Sequence, residues 1–454
     1  GDRFTADGAS HQCRTLDWDA GRYLLLRIET GDTPLKLSGF CLRATGYPLA
    51  LDSEWQFAAP AYDALIGLCR NSLLRCMHTT YMDCPHYEQM MYAGDSRLEM
   101  LSTYILSRDR RLPRKALLEF AASQTPEGFT LARYPSREAQ LIPPFALWFA
   151  SMVCDYAQWT DEPELIAWLL PRVRRVMEAF SRCREKTSGL ILNPAGWNFY
   201  DWAEGWKLGE PPGGSNQPGA LLNCHYVYTL ELLAQLEAYM GCGEQSEAWQ
   251  SEAQQLRAAV RERFFVPERG LLSDDTAQRC FSQHTQALAL LGGLGGRELY
   301  DKLFDPGLTG CTIYFSHYLF EAAKLFGDGP RCLKLLEFWR NLSGQGFLTT
   351  PERPEPSRSD CHGWGSHPLY HLATGLAGIR PVAFGGRTFA VRPLDAPDCP
   401  DFHCVLGLPA GEITVTRRGG DYAVESRGDL KIDDKMFGTN GDTTISHYQE
   451  RSFS

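Results

Sequence analysis

The sequence predicts a mainly α protein with β structure at both ends, and three observations carry that prediction. From about residue 60 to 378 the chain is a continuous succession of amphipathic runs, about twelve of them, separated by loops. Outside that block the pattern changes to apolar or alternating runs set between Gly, Pro and Asp. No 34- or 40-residue repeat is visible, which disfavours a solenoid. Twelve helices can close as six hairpins into a double-layered (α/α)6 toroid, burying the inner ring and leaving one end open as a pocket. Helix count alone does not separate that ring from a solenoid of similar content.

Taken in order, residues 1–55 read as an N-terminal β segment. Tyr23, Leu24, Leu25, Leu26, Arg27 and Ile28 form an apolar run before the turn signal Glu29-Thr30-Gly31-Asp32, and residues 35–42 are a second strand candidate. They suggest the end of a β-sandwich, too short to be a complete one. Residues 56–380 form the helical domain, with runs at about 61–76, 95–107, 113–123, 143–159, 163–183, 219–241, 245–264, 283–291, 297–304, 313–326, 330–341 and 367–377. Ser96 with Glu99 three residues on has the spacing of a capping box and predicts a helix opening there. Leu221, Cys224, Tyr228, Leu232 and Leu236 recur every three or four residues and define one buried face. Residues 381–454 form a small C-terminal β-sandwich module, with strands expected at 388–392 and 411–416 and a polar tail from about Gly428.

Composition excludes several functions. The net charge is −10, and no dense Lys/Arg stripe exists, so nucleic acid is not an expected partner. No apolar run is long enough to span a bilayer. The 15 cysteines are an odd number without a paired framework, and several fall inside helical apolar pattern, as reduced core thiols of a cytoplasmic protein would. The first residues are not a signal peptide, although an export signal removed earlier would leave the same start. The 11 Trp are mostly core candidates, but Trp197, Trp202, Trp206 and Trp364 fall in loops, where a pocket wall is the alternative.

The densest chemistry lies in residues 79–95. Asp83, Glu88 and Asp95 sit with Tyr87, Tyr92 and His86 in one Pro-interrupted loop ahead of a helix. Glycoside hydrolysis needs carboxylates in two roles, one protonating the leaving oxygen and one activating water or attacking the sugar. Tyr87, Met90 and Met91 around Glu88 suggest an apolar shelter for an acid.

Asp83-Cys84-Pro85, then Glu88, then Gly94-Asp95 at a helix head resembles the signature of the α-L-rhamnosidases of glycoside hydrolase family 78. Segments 132–136, 142–145, Asn198-Phe199-Tyr200-Asp201-Trp202, Ser282-Gln283-His284 and Arg358-Ser359-Asp360-Cys361-His362-Gly363-Trp364 are similar to the same family in the same order. The resemblance implies an (α/α)6 toroid and a cofactor-free inverting exo-glycosidase releasing terminal α-L-rhamnosyl groups from oligosaccharides or glycosides, with a rhamnose-containing carbohydrate as partner. It also implies N-terminal β-domains, of which residues 1–55 would be a remnant, in a compact member or a piece of a longer polypeptide.

By the same resemblance Glu88 matches the general acid and Glu352, in Thr350-Pro351-Glu352-Arg353-Pro354, the general base. Glu355 is the nearby rival for the second role and Asp201 a more distant one. Asp83 and Asp95 match positions that bond sugar hydroxyls, though Gly-Asp-Ser is also a helix N-cap. Tyr92 stands where many members have Trp, as a stacking platform. Arg133 binds a hydroxyl or pairs with Glu138. Asp201, Trp202, Trp364 and His367 complete the substrate-binding set. The spacing of Cys84, His86, Cys361 and His362 is not that of a structural zinc site, so no metal is expected. Two other classes remain: a non-catalytic sugar-binding derivative of the fold, and an exo-glycosidase for another deoxy or uronic sugar.

Overall fold

The structure is a computed structural model, and it describes residues 2–433 and 443–447. Among the described residues twelve α-helices alternate between two concentric layers. The outer helices are α1 (Pro60–Arg75), α3 (Arg111–Ala122), α5 (Pro163–Ser181), α7 (Gly243–Phe264), α9 (Arg297–Lys302) and α11 (Gly329–Gly344). The inner ones are α2 (Ala93–Leu106), α4 (Pro143–Trp159), α6 (Ala220–Tyr239), α8 (Gln283–Leu291), α10 (Ser316–Leu325) and α12 (Pro368–His371). Proline at the first or second helical position starts α1, α4, α5, α11 and α12, where its missing N–H is no loss.

The inner layer closes on itself. α2 packs on α4, α4 on α6, α6 on α8, α8 on α10, and α12 returns to α2. The remaining joint, α10 to α12, is bridged by His317 Nδ1 and His371 Nε2 at 3.0 Å. Every residue of α2 is buried, as a helix surrounded on all sides requires. A polar pin crosses the ring's interior. Arg97 on α2 donates through Nε to Asp155 on α4 at 2.8 Å and meets the hydroxyls of Tyr228 on α6 and Tyr318 on α10 at 3.2 Å. Truncating one partner of such a buried pair typically costs about 3–5 kcal/mol.

Strand β1 (Glu54–Phe57) precedes the toroid. A short hairpin, β2 (Phe265–Val266) with β3 (Leu271–Leu272), interrupts it, and β4 (Ile379–Pro381) through β5 (Thr388–Val391), β6 (Phe402–Leu408), β7 (Gly411–Arg418), β8 (Asp421–Gly428), β9 (Lys431–Ile432) and β10 (Thr443–His447) follow it. The larger sheet has the order β1-β6-β7-β8-β10 and the smaller β4-β5-β9.

Two expectations need correction. The strands expected at 23–28 and 35–42 do not form: no helix or strand occurs between residues 2 and 53, and Tyr23, Leu25 and Leu42 are exposed. An apolar run becomes a strand only when a neighbour accepts its backbone bonds, and nothing beside this segment does so. The one strand of the N-terminal segment, β1, belongs instead to the C-terminal sheet, pairing antiparallel with β6 from Glu54 opposite Val405 to Phe57 opposite Phe402. Second, Ser96 does not open α2. The helix starts at Ala93, the serine lies inside it, and neither the Ser96 hydroxyl nor the Glu99 carboxyl has a hydrogen-bond partner. β9 and β10 lie in the polar tail; its other residues beyond 433 fall outside the described residues.

Candidate active site

The inner helices run parallel, so their N-termini share one end of the ring. The loops that lead into them therefore converge there, and so does the positive end of each helix dipole. The segments singled out in the sequence lie there: within residues 76–92 before α2, 123–142 before α4, 182–219 before α6 and 345–367 before α12, with Ser282-Gln283-His284 at the head of α8.

Glu88 and Glu352 meet at one guanidinium. Arg358 places Nη1 3.6 Å from Glu88 Oε1 and Nη2 3.0 Å from Glu352 Oε1, while its Nε donates to Glu352 Oε2 at 3.2 Å. Two carboxylates sharing one planar guanidinium stand no more than about 9 Å apart. Their surroundings differ sharply. The Glu88 side chain is 28% exposed, and the residue after it, Gln89, adopts a left-handed φ of 55°, which turns the loop sharply beneath it. The apolar shelter expected around Glu88 is absent, because Tyr87 is exposed and Met91 is turned into the core. Glu352 is only 2% exposed. Trp202 donates its indole N–H to Glu352 Oε1 at 2.9 Å, and Trp364 donates to the Glu352 backbone carbonyl at 2.8 Å.

Beneath this pair lies a buried acidic group. Asp83 accepts the Met90 N–H at 2.9 Å, and its second oxygen has no partner; burial pushes its carboxyl up to about 7. Asp95, in the first turn of α2 rather than at its cap, lies 3.1 Å from His362 Nε2. Burial raises the Asp95 carboxyl above the usual range. The His362 imidazole is held above its ordinary value, since its bond to Asp95 and the charges of Asp95, Asp83 and Glu352 outweigh its burial. Glu99, one turn further along α2, is completely buried, and burial drives it well above the carboxylate range. Its carboxyl fills the space beside Gly363, so any Cβ at that glycine would collide with it. The Gly363 N–H in turn donates to the Asp83 carbonyl at 2.7 Å, which fastens the late loop to the early one.

Tyr92 and Arg133 lie together, with Arg133 Nη1 donating to the Tyr92 hydroxyl at 3.1 Å. That bond takes the place of the alternative Arg133–Glu138 pair. Three expected substrate contacts are turned away. Asp201 is fully buried and saturated: it accepts from His284 Nε2 at 2.8 Å, the Thr312 N–H at 2.7 Å, the Trp202 N–H at 2.9 Å and the Thr312 hydroxyl. It staples three loops together and has no lone pair left for a sugar or a water, which also removes it as a rival base. Trp364 is buried, stacked on Tyr314 with centroids 4.7 Å apart, so it holds Glu352 rather than walling a pocket. His367 lies in the ring wall, donating to the Ile313 carbonyl at 3.0 Å among Phe320 and Trp339. Burial lowers its pKa to about 3.

Sequence reasoning named the segment 358–364 but assigned no role to Arg358 or His362. The available signal was one Arg and one His four residues apart, the His next to the glycine. Two groups of side chains have donor atoms close enough to hold a cation: Asp83, Cys84 and His362 here, and His317, His367 and His371 in the ring wall. Surface cavities of about 350 Å³ at Arg114, Leu165 and Trp168, and about 490 Å³ at Gln56, Phe402 and Thr416, touch neither carboxylate.

A closed ring of six helical hairpins, with paired carboxylates at the end where its inner helices begin, defines the architecture of a six-hairpin glycosidase. The family model for the bacterial alpha-L-rhamnosidase six-hairpin glycosidase domain matches residues 53–305, and the chain belongs to that family. Among solved structures it is similar to the GH78 family rhamnosidase of Bacillus sp. GL1, at 25% identity and a TM-score of 0.77, over 89% of this chain and 45% of that one. It also resembles a Klebsiella oxytoca rhamnosidase with rhamnose bound, at 22% identity and a TM-score of 0.62, over 69% of this chain and 64% of that one. A third likeness is to the Streptomyces avermitilis α-L-rhamnosidase complexed with L-rhamnose, at 15% identity and a TM-score of 0.67, over 83% and 37%. The chain thus spans less than two thirds of the length of each of these structures. No curated protein sequence matches it.

Proposed function

We propose that the protein hydrolyses terminal α-L-rhamnosyl groups with inversion. The observation that supports this reading is the convergence of Glu88 and Glu352 on the Arg358 guanidinium, which sets an upper bound of about 9 Å on their separation, below the upper end of the span of about 6.5–9.5 Å that leaves room for a water between acid and base. Glu88 gives its proton to the glycosidic oxygen as the bond to the anomeric carbon breaks. Glu352 takes a proton from the water whose oxygen attacks that carbon from the opposite face. The products are a free sugar of inverted configuration and the aglycone alcohol, and exchange with solvent returns each carboxyl to its starting state. Asp83, with an unengaged oxygen, and Asp95 accept hydrogen bonds from the sugar hydroxyls. Glu352 Oε2 accepts one bond, from Arg358 Nε, so a lone pair stays available to the attacking water while the guanidinium holds the carboxylate in place. The fifteen free cysteines fit a reducing, cytoplasmic compartment, and no helix among the described residues is long and apolar enough to cross a membrane.

The burial of Glu352 beneath an arginine favours one second reading, a sugar-binding protein that does not hydrolyse. An NMR time course on nitrophenyl α-L-rhamnoside separates the two. Initial release of β-rhamnose supports inverting hydrolysis, and initial α-rhamnose overturns the inversion. Calorimetric binding of rhamnose with no release from any glycoside supports the second reading.

A further inference from the structure

We propose that the ring wall holds a transition-metal ion of the zinc class on His317, His367 and His371, a staple that closes the toroid between α10 and α12. It is independent of the roles of Glu88 and Glu352. All three histidines are buried, and one ring nitrogen of each lies within 4.8 Å of those of the other two. Nitrogens around a tetrahedral zinc ion stand about 3.3 Å apart, so small side-chain rotations bring the three into range. His367 caps the start of α12 and His371 ends it, one turn apart on one face, while His317 lies in the first turn of α10. Helix α12 has only four residues and runs into a π-helical turn, Leu372–Leu376, so it offers little surface for packing at this joint.

The hydrogen bonds around the rings favour a cation over a plain histidine pair. His317 Nδ1 and His371 Nε2 are 3.0 Å apart, so a shared proton or a cation must lie between them. His367 Nε2 faces the Ile313 carbonyl at 3.0 Å. A carbonyl only accepts, so Nε2 carries the proton and Nδ1 carries the lone pair. That Nδ1 is buried without a partner. A shared proton satisfies His317 and His371 but leaves the His367 lone pair idle in a sealed core, whereas a metal ion engages all three. His371 Nδ1, which also has no hydrogen-bond partner, faces Glu321 Oε1 at 3.7 Å. A carbonyl or carboxylate behind the non-ligating nitrogen is how metal-bound imidazoles are oriented. The neighbouring cations Lys324 and Arg97 are paired with Glu321 and Asp155. An all-imidazole set suits zinc, copper or nickel rather than calcium or magnesium, and it leaves a fourth position to water.

The test measures metal on the whole chain. Protein stripped with a chelator and then dialysed against zinc chloride should retain about one zinc per chain by plasma mass spectrometry. Its melting temperature should rise by several degrees at free zinc about 100-fold above Kd. Both effects should vanish in His371→Gln and persist in Cys84→Ser, whose thiol belongs to the other cation-sized cluster. Cobalt in place of zinc in the wild type should show d–d absorption without a thiolate charge-transfer band, which reports the ligands even where a variant fails to fold. Refilled wild type that retains no zinc overturns the site. So does zinc kept by folded His371→Gln, zinc lost from folded Cys84→Ser, or a thiolate charge-transfer band in the cobalt protein.

Discussion

The early loop, residues 76–92, and the late loop, 345–367, each carry one carboxylate to the same guanidinium, yet they hold it in opposite ways. Glu88 stands on a sharp turn with its side chain 28% exposed and a single distant partner, Arg358 at 3.6 Å. Glu352 is 2% exposed and fixed by Trp202, Trp364 and Arg358 through its side chain and its backbone. An acid that must reach a leaving group of variable shape benefits from freedom. A base that must aim one water at one carbon benefits from rigid support. The difference predicts distinct failures. Glu352→Gln should lower kcat about 10³-fold or more on every rhamnoside, with folding intact by circular dichroism. Glu88→Gln should do the same for alkyl or sugar aglycones but far less for nitrophenyl, which leaves without a proton. Equal losses on both leaving groups would remove Glu88 as the acid.

The second perturbation acts on the joint between the loops. Arg358→Ala removes the cation that both carboxylates share and leaves Glu352 held only by two indoles. Steady-state kinetics should show kcat lower by about 10- to 100-fold. Arg358→Lys should restore only part of it, because an ammonium cannot bond both Glu352 oxygens as the fork does. Full recovery with lysine would reduce Arg358 to a simple counter-charge.

The same contrast explains what the sequence could tell. Most of the twelve helical runs were legible because they bury a face at a 3.6-residue period, and the early loop was legible because Asp83, Glu88 and Asp95 crowd into one short segment. The late loop's roles depend on partners far away in the chain. His362 finds Asp95, Trp364 supports Glu352 from behind, and Asp201 is consumed by His284 and Thr312. None of these pairings has a local pattern. The apolar runs near residues 25 and 40 misled for a related reason, since alternation reports strand capacity and not the presence of a neighbour to pair with.

Asp83 allows a subtler comparison, between stability and activity. Its folded-state carboxyl titrates at about 7, far above the ordinary 3.8, chiefly through burial. The raised value means that the stabilising contribution is complete below about pH 4 and is lost as pH rises through 7. Relative to Asp83→Asn, the wild type should lose up to about 4 kcal/mol between pH 4 and 8, read by urea denaturation at each pH. Activity that needs the ionised carboxyl should rise over the upper part of the same range, and the Asn variant should flatten that rise. A parallel stability profile in both proteins would show that Asp83 does not titrate there.

The smallest expected effect tests whether rigidity behind Glu352 matters at all. Trp364→Phe removes one indole N–H from the Glu352 carbonyl and leaves much of the aromatic packing against Tyr314 and His362. The lost bond and the small void should cost about 1–3 kcal/mol of stability. If Trp364 only fills space, kcat should be unchanged once the protein is folded. If its hydrogen bond aims the base, kcat should fall about 3- to 10-fold with KM unaltered, because binding of the sugar in the ground state does not involve the direction of the water. A rise in KM with constant kcat would instead place Trp364 against the substrate, which its burial beneath Glu352 argues against.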